Sequence, residues 1–360
     1  MRVEALWLTD YRNYDSAEIR PAPGLTAVVG GNGEGKTNLL EAIGYLATLS
    51  SFRAAPGEAL VRVGAASAVL RAEVTTGGRT ALVEAELHPT GRDRVMVNRT
   101  PLRRARDLLG TLRVSVFSPD DVALVKGGPA ERRRLLDDTL VACAPRLDSV
   151  RSDLDRVLRQ RNTLLKQAGG RLTPEIGATL DVWDATFAAL GEDLAGARER
   201  LVARLAPVVA EAYDCVAEAA SSVVLDYAAP WRATGLAQAL AAARQADLRR
   251  SVTTVGPHRD DLVLALGDLP ARTHASSGEQ RSLALALRLA THAVVTEVAG
   301  TTPVLLLDDV FSELDPARSA ALLGALPAGQ ALLTTAGSLP GGAHPELVVR
   351  VRGGRLLAAA

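Results

Sequence analysis

Apolar and polar positions divide the chain into stretches of different period. Over residues 1–30 short apolar runs alternate with turn signals: VEALWLT, a polar DYRNYD, AEIRPAPG and LTAVVG, which predicts strands, the last of them buried. A glycine-rich loop follows. After it Leu39, Leu40, Ile43, Leu46 and Ala47 recur at the spacing that places them on one face of a helix. Residues 58–117 read as β-rich, with AVLRAEVTT, ALVEAELH and RVMVN separated by GG, PTG and NRT turns. From 130 to 218 the pattern is long, charged and rich in Ala and Leu, predicting helices broken at AGGRLTP. No heptad persists there over many turns, so the expectation is a compact helical lobe and not a long coiled coil. SVVLDY as a strand and an Ala-rich helix near 234–249 close that lobe, and from VGPHRDDLVLAL onward the chain reads α/β again, with PVLLLDD, QALLTTAG and LVVRVRGGRLL as strands.

The predicted architecture is an α/β domain formed by residues 1–118 and 250–360, interrupted by a mainly helical arm over 119–249. One stretch resists its own periodicity. SSGEQRSLALALRLA has leucines at 283, 285, 287 and 289, the two-residue period of a strand. Ala and Leu are nevertheless the strongest helix formers, and Ser276 with Glu279 has the S-x-x-E spacing of a capping box. The prediction is a mostly buried helix starting near 277.

Composition narrows the function. With 360 residues, 48% of them hydrophobic, the chain can build two domains with a large core. Zero net charge supplies no global field for nucleic acid or membrane, so such binding needs a local patch. Aromatic residues, at 3%, are too few for a broad base-stacking platform. Cys143 and Cys215 stand in separate helical stretches and are expected to be core thiols. The five histidines lack metal spacing, and His258 is read as structural or near a phosphate. No apolar leader and no unbroken apolar run near 18 residues is seen, which predicts a soluble cytoplasmic protein without a membrane partner.

Gly30-Gly31-Asn32-Gly33-Glu34-Gly35-Lys36-Thr37 fits G-x-x-x-x-G-K-[ST], follows the strand LTAVV and precedes a helix from Asn38, the context that makes a phosphate loop. Its backbone N–H groups would wrap ATP phosphates, Lys36 would neutralise the β and γ oxygens, and the Thr37 hydroxyl would ligate Mg²⁺. Lysine is otherwise rare, occurring only at 36, 126 and 166. Val304–Asp309, VLLLDD, is an apolar strand ending in two carboxylates: Asp308 would hold Mg²⁺ through water and Asp309 would position or deprotonate the attacking water.

A phosphate loop, then SSGE at a helix start, then the VLLLDD strand is the order of the ABC-type ATPases. Ser276, Gly278 and Glu279 resemble the signature that, in that superfamily, closes over the γ-phosphate bound by a partner subunit. LTDYRNY, GGNGEGKTNLLEAIGYLATLSSFR, PDDVALVKGGPAERRRLLD, GPHRDDL and DDVFSELDPARSAALL together resemble the RecF family of bacterial DNA-repair proteins. The resemblance covers both ends of the chain and the entry to the arm. It implies an ABC-type P-loop ATPase head with an inserted, mainly helical second lobe, like the heads of SMC proteins. It further implies an ATP-dependent homodimer on double-stranded or gapped DNA, or on single strands, partnered by RecR with RecO.

Two departures from the wider ABC pattern predict slow hydrolysis. No Gln precedes Gln160, and the region Ser118–Asp121 offers carboxylates instead; LLTTAG places Thr334 and Thr335 where a switch His is expected. For DNA, Arg92, Arg94, Arg99, Arg103, Arg104 and Arg106 form one basic cluster, and Arg132, Arg133 and Arg134 a second. Such runs are solvated surface as often as phosphate contacts. An ABC transporter subunit is disfavoured by the missing Gln and His and by the arm. A P-loop kinase or ligase leaves SSGEQ unexplained.

Overall fold

A computed structural model describes residues 1–217 and 221–357. The end of the predicted helical stretch, 218–220, lies outside the described residues. The chain forms two compact units: Met1–Val122, Glu211–Ala220 and Arg281–Ala360 make the first, Ala123–Ala210 and Ser221–Gln280 the second.

The first unit opens with β1 (Arg2–Tyr11), β2 (Tyr14–Ile19), β3 (Leu25–Val29) and α1 (Lys36–Thr48). It continues through β4 (Ala68–Thr76), β5 (Arg79–Leu87), β6 (Arg94–Val97), β7 (Thr100–Pro101) and β8 (Val114–Phe117). The second unit carries α2 (Ala123–Lys126), α3 (Pro129–Cys143), α4 (Leu147–Ala168), most of α5 (Pro174–Val216), β9 (Val223–Ala228), α6 (Leu236–Arg250), β10 (Asp261–Leu266), β11 (Leu269–Pro270) and α7 (Ala271–His274). After α8 (Ser277–Ala299) come β12 (Val304–Asp308), α9 (Pro316–Ala325), β13 (Ala331–Thr335), β14 (Leu347–Arg352) and β15 (Arg355–Leu357).

Two six-stranded sheets build the first unit. One, in the order β2-β1-β4-β5-β6-β7, is antiparallel throughout. The other runs β15-β14-β3-β13-β12-β8 and is parallel except for β15. Every residue of β12 and β13 is buried, as expected of parallel strands covered on both faces. Helix α1 lies between the sheets, touching β4 and β5 of one and β8, β12 and β13 of the other. The one-faced helix expected from Leu39, Leu40, Ile43, Leu46 and Ala47 is therefore buried nearly all round, Glu41 and Gly44 included. The core joins Leu40, Ile43 and Leu46 to Leu70 and Val83 on one side and to Leu306 and Leu332 on the other.

In the second unit β9, β10 and β11 form a small antiparallel sheet. The second unit runs on to Gln280, past residue 250 where the pattern turns α/β, because β10 pairs with β9 and not with the parallel sheet. Arg161, fully buried on α4, donates from Nε to Asp184 on α5 (2.6 Å) and from Nη1 to Asp247 on α6 (2.8 Å), locking three helices together. Cys143 is half-buried and Cys215 exposed, so the expected pair of core thiols is corrected: Cys215 falls on the outer face of α5 while its neighbours Tyr213 and Val216 face the core.

SSGEQRSLALALRLA is helical, as its residue types predict, and Leu283, Leu285, Leu287 and Leu289 are all buried. Among the described residues α8 is the helix long and apolar enough to cross a membrane, yet most of its apolar stretch is buried within the protein, where a core helix belongs.

Buried His292 and half-buried His258 make stability pH-dependent. His258 Nε2 meets the Thr253 carbonyl (3.0 Å) and His292 Nδ1 meets Ser115 Oγ (2.8 Å), while the other ring nitrogen of each is buried without a partner among the described residues. Burial holds both pKa values down to about 4, from an ordinary 6.5. Neutral rings are favoured in the fold and protonated rings in the unfolded chain, so stability is complete above pH 6.5 and is lost as pH falls through about 4. Urea unfolding at pH 5 should give a free energy lower than at pH 7 by about 2 kcal/mol per histidine. The difference should shrink in His258→Gln/His292→Gln; equal wild-type values at the two pH values would contradict it.

Candidate nucleotide site

Between β3 and α1 the chain turns through Gly30–Gly35, and two close approaches demand glycine there. A Cβ on Gly30 would overlap the carbonyl oxygen of Val351 in β14. Gly35 has φ 117 and a Cβ would stand 2.8 Å from the Asn13 amide. The loop is clamped from both flanks. Asn13 Nδ2 donates to the Glu34 carbonyl (2.8 Å) and Tyr14 Oη to that of Gly35 (2.9 Å), both from the β1–β2 turn. Gly354 N donates to the same Glu34 carbonyl (3.0 Å) and Gly353 N to the Glu34 carboxylate. The loop's shape is thus set before any ligand arrives.

Lys36 opens α1, two residues ahead of the expected start at Asn38, and is buried with Nζ donating to the Gly31 carbonyl at 2.8 Å. Beneath the loop one carboxylate oxygen collects two hydroxyls: Thr37 Oγ1 and Thr334 Oγ1 each donate to Asp308 Oδ1 at 2.8 Å. Thr334 Oγ1 in turn accepts from the Asp309 N–H (2.9 Å). Parallel register makes this possible, since Asp308 stands opposite Thr334 on β13. Burial lifts the Asp308 carboxyl above the usual carboxylate range, opposed by the two hydroxyl hydrogen bonds. Asp309 adopts the left-handed conformation (φ 50), a strain of about 1–3 kcal/mol, and its Oδ1 is buried without a partner among the described residues. Hydroxyl plus carboxylate, with a second carboxylate oxygen unmet beside them, is a hard oxygen set that fits Mg²⁺, an ion held by few protein ligands and by phosphate.

A cavity of about 570 Å³ lies over the loop. Asn32, Gly33, Gly35, Lys36, Thr37 and Asn38 contribute to its lining from the loop and α1, and Arg12, Asn13, Arg53, Glu58, Ala59, Val61, Val63 and Asp309 line the rest. Gly30 to Asn38 and the pair Asp308–Asp309 are therefore brought together as their motifs imply. Arg12 and Arg53 were not singled out from the chain, although they lie in LTDYRNY and LSSFR, stretches that carried the resemblance, and Thr334 was read only as standing where a switch His is expected.

Ser276, Gly278 and Glu279 belong to the second unit at the start of α8. The capping box is made: Ser276 N donates to Glu279 Oε2 (2.7 Å) and Glu279 N to Ser276 Oγ (3.3 Å), and these bonds hold the Glu279 carboxyl below its usual range. Ser276 itself stays exposed.

The two arginine groups part company. Arg103 and Arg104 are exposed and Arg106 half-buried in the segment after β7. Arg132, in contrast, is buried, pairs bidentately with Asp261 (2.7 and 2.9 Å) and donates to the Leu124 and Gly127 carbonyls. Arg133 donates to the Asp260 carbonyl (2.7 Å). The expected DNA role of Arg132 is corrected on this ground, since its guanidinium fastens α3 to β10, while Arg133 is half-buried. Asp121, one of the carboxylates expected in place of the missing Gln, is buried and engaged by Arg288 of α8 (2.5 and 2.9 Å).

A phosphate loop whose threonine meets the carboxylate ending a neighbouring parallel strand, with α1 enclosed between that sheet and an antiparallel one, makes this an ATPase head of the ABC type. A sequence profile of the RecF/RecN/SMC N-terminal domain matches residues 2–332. The DNA replication and repair protein RecF of Streptomyces avermitilis is 47% identical over 351 residues, covering 93% of this chain and 93% of its own length. That of Frankia alni is 47% identical over 355 residues with the same coverage. The chain belongs to the RecF family. A solved structure of the recombination mediator protein RecF-ATPrS in the RecFOR pathway superposes with a TM-score of 0.91 at 25% identity, over 100% of this chain and 98% of that one. The Smc head domain of Pyrococcus furiosus shares the fold, with a TM-score of 0.59 at 16% identity over 99% of this chain and 96% of that one.

Proposed function

We propose that this chain is an ATP-dependent, DNA-binding recombination mediator that acts in the cytoplasm on gapped or junction DNA, in repair and the SOS response, with RecR and RecO as partners. The observation that carries the reading is the convergence of Thr37 and Thr334 on one Asp308 oxygen beneath a preformed phosphate loop. A solved relative described as RecF-ATP supports ATP as the nucleotide.

Backbone N–H groups of residues 31–35 cradle the phosphates, and Lys36 Nζ exchanges the Gly31 carbonyl for β and γ oxygens. Thr37 and Asp308 would hold Mg²⁺, which supplies positive charge to those oxygens. Asp309 accepts a proton from the water that attacks the γ-phosphorus as the bond to the ADP oxygen breaks. Asp309 is shorter than a glutamate and Thr334 stands in place of a histidine, so hydrolysis is slow and serves to end the ATP state. In that state Ser276, Gly278 and Glu279 of each protomer close over the γ-phosphate in its partner. Exposed Arg103 and Arg104, with Arg106, bind DNA phosphates without reading sequence, giving affinity that falls steeply with salt.

Sedimentation tests the reading. A monomer without nucleotide or with ADP should become a dimer in ATP and carry duplex DNA with it. A strict monomer in saturating ATP would sink the proposal.

A further inference from the structure

Glu41 is a buried charged group of the first unit that takes no part in the ATP chemistry. It lies on α1 five residues beyond Lys36, fully buried between two sheets of apolar residues. A carboxylate there needs strong compensation. It receives four hydrogen bonds: Arg12 Nη2 (2.6 Å) and Ser51 Oγ (2.6 Å) on Oε1, and Arg12 Nε (2.8 Å) and Tyr11 Oη (3.1 Å) on Oε2.

The donors come from two segments that reach the nucleotide cavity, and a third hangs from them. Arg12 sits in the β1–β2 turn with φ 54, an uncommon conformation for a side-chain-bearing residue that needs the surroundings to enforce it. Burial works against its charge, yet the bond and attraction of Glu41 outweigh this and hold its pKa above the usual value. Its Nη1 donates to the Ala59 carbonyl (2.9 Å) and its backbone N–H to that of Leu60 (2.9 Å), fixing the segment that leads into Val61 and Val63. Ser51 Oγ accepts from the N–H groups of Arg53 (3.1 Å) and Ala55 (3.3 Å), shaping the loop that carries Arg53. Arg12, Arg53, Val61 and Val63 all line the cavity wall across from the phosphate loop. Val63 is 96% exposed, so no packing within the described residues accounts for it.

We propose that Glu41 is a positioning residue for ATP: it ties the cationic and apolar wall of the cavity to the helix that begins with Lys36 and Thr37. Helix α1 thereby carries the phosphate-binding residues at its first turn and the anchor of the opposite wall one turn later. The distance between the two sides is fixed by a rigid element. Arg12 and Arg53 meet the anionic part of the nucleotide, and Val61 and Val63 offer an apolar surface to the base or ribose. This deepens the ATP reading and rests on it.

The test is a double-mutant cycle in ATP affinity, read with a fluorescent ATP analogue and with single-turnover hydrolysis. Glu41→Gln preserves shape and removes the charge; it should weaken ATP binding at least tenfold and raise KM while changing kcat less than twofold. In an Arg12→Ala/Arg53→Ala background the same substitution should change affinity less than twofold. Ser51→Ala, which releases only the Arg53 loop, should weaken binding about threefold and decides the matter if Glu41→Gln does not fold. Wild-type affinity in Glu41→Gln and Ser51→Ala, or an equal loss with and without the two arginines, overturns the inference. A wild-type protein that binds no ATP refutes the nucleotide reading instead, so the two failures are distinguishable.

Discussion

Lys36→Met is expected to weaken ATP binding by more than a hundredfold while leaving the fold intact. The ammonium group is buried and held 2.8 Å from the Gly31 carbonyl, so it is already dehydrated and already aimed along the loop that would receive phosphate. Exchanging that neutral acceptor for two phosphate oxygens creates two charge-assisted hydrogen bonds, each contributing about 1.5–3 kcal/mol. Their loss comes to about 3–6 kcal/mol, or about 150-fold to about 25,000-fold in affinity. Methionine keeps the length of the side chain and is nearly as good a helix former as lysine. It also removes a buried charge, so the melting temperature should hold or rise. Equilibrium titration with a fluorescent ATP analogue, beside a thermal melt, measures both. Binding within fivefold of wild type would mean that Lys36 does not meet the phosphates.

Ser276→Arg should abolish the ATP-driven dimer and leave ATP binding by the monomer within about twofold. Ser276 is exposed, and among the described residues its side chain is engaged by the capping box with Glu279. Losing that cap costs about 1 kcal/mol of helix stability, far too little to unfold a chain of this size. Across a closed dimer the consequence is different. In the proposed dimer an arginine side chain would fill the space of a γ-phosphate held by the partner and set its bulk against the loop there. Dimerisation should fall by at least a hundredfold in sedimentation equilibrium with ATP, and DNA binding in ATP should fall with it. Ser276→Ala, which loses one hydroxyl, should have a smaller effect of about tenfold. Loss of ATP binding in the Ser276→Arg monomer would refute the assignment of this serine to the partner's nucleotide.

Much of the site was legible because its chemistry is local. Gly30 to Thr37 are consecutive, flanked by a strand and a helix whose patterns are plain, and a loop that wraps phosphate with its own backbone needs no distant partner to be recognised. VLLLDD was legible for a related reason: a strand buried on both faces is apolar throughout, so two carboxylates at its end stand out. SSGEQRSLALALRLA was settled by residue type over period, and its capping box formed as the spacing predicts.

What escaped the sequence lies where two distant segments meet. Arg132 looked like a free cation in a basic run, and its partner Asp261 stands 129 residues away. Asp121 looked available, and Arg288 engages it from 167 residues further on. The substitution of Thr334 for a histidine read as a loss, whereas its hydroxyl joins Asp308 to the Asp309 backbone. Glu41 drew no reading from the sequence, whereas two sheets enclose its helix and the carboxylate gathers Tyr11, Arg12 and Ser51.

The sequence by itself determined the main strands and helices, the glycine-rich loop, the carboxylate pair and the helix that opens with SSGE, since each depends on period, propensity or spacing within about twenty residues. Only the tertiary structure decided which charges are paired, that α1 is buried nearly all round and which side chains wall the cavity. Those outcomes depend on the register of parallel strands and on helix packing between residues far apart in the chain, and a charge's role is set by the partner that packing brings to it.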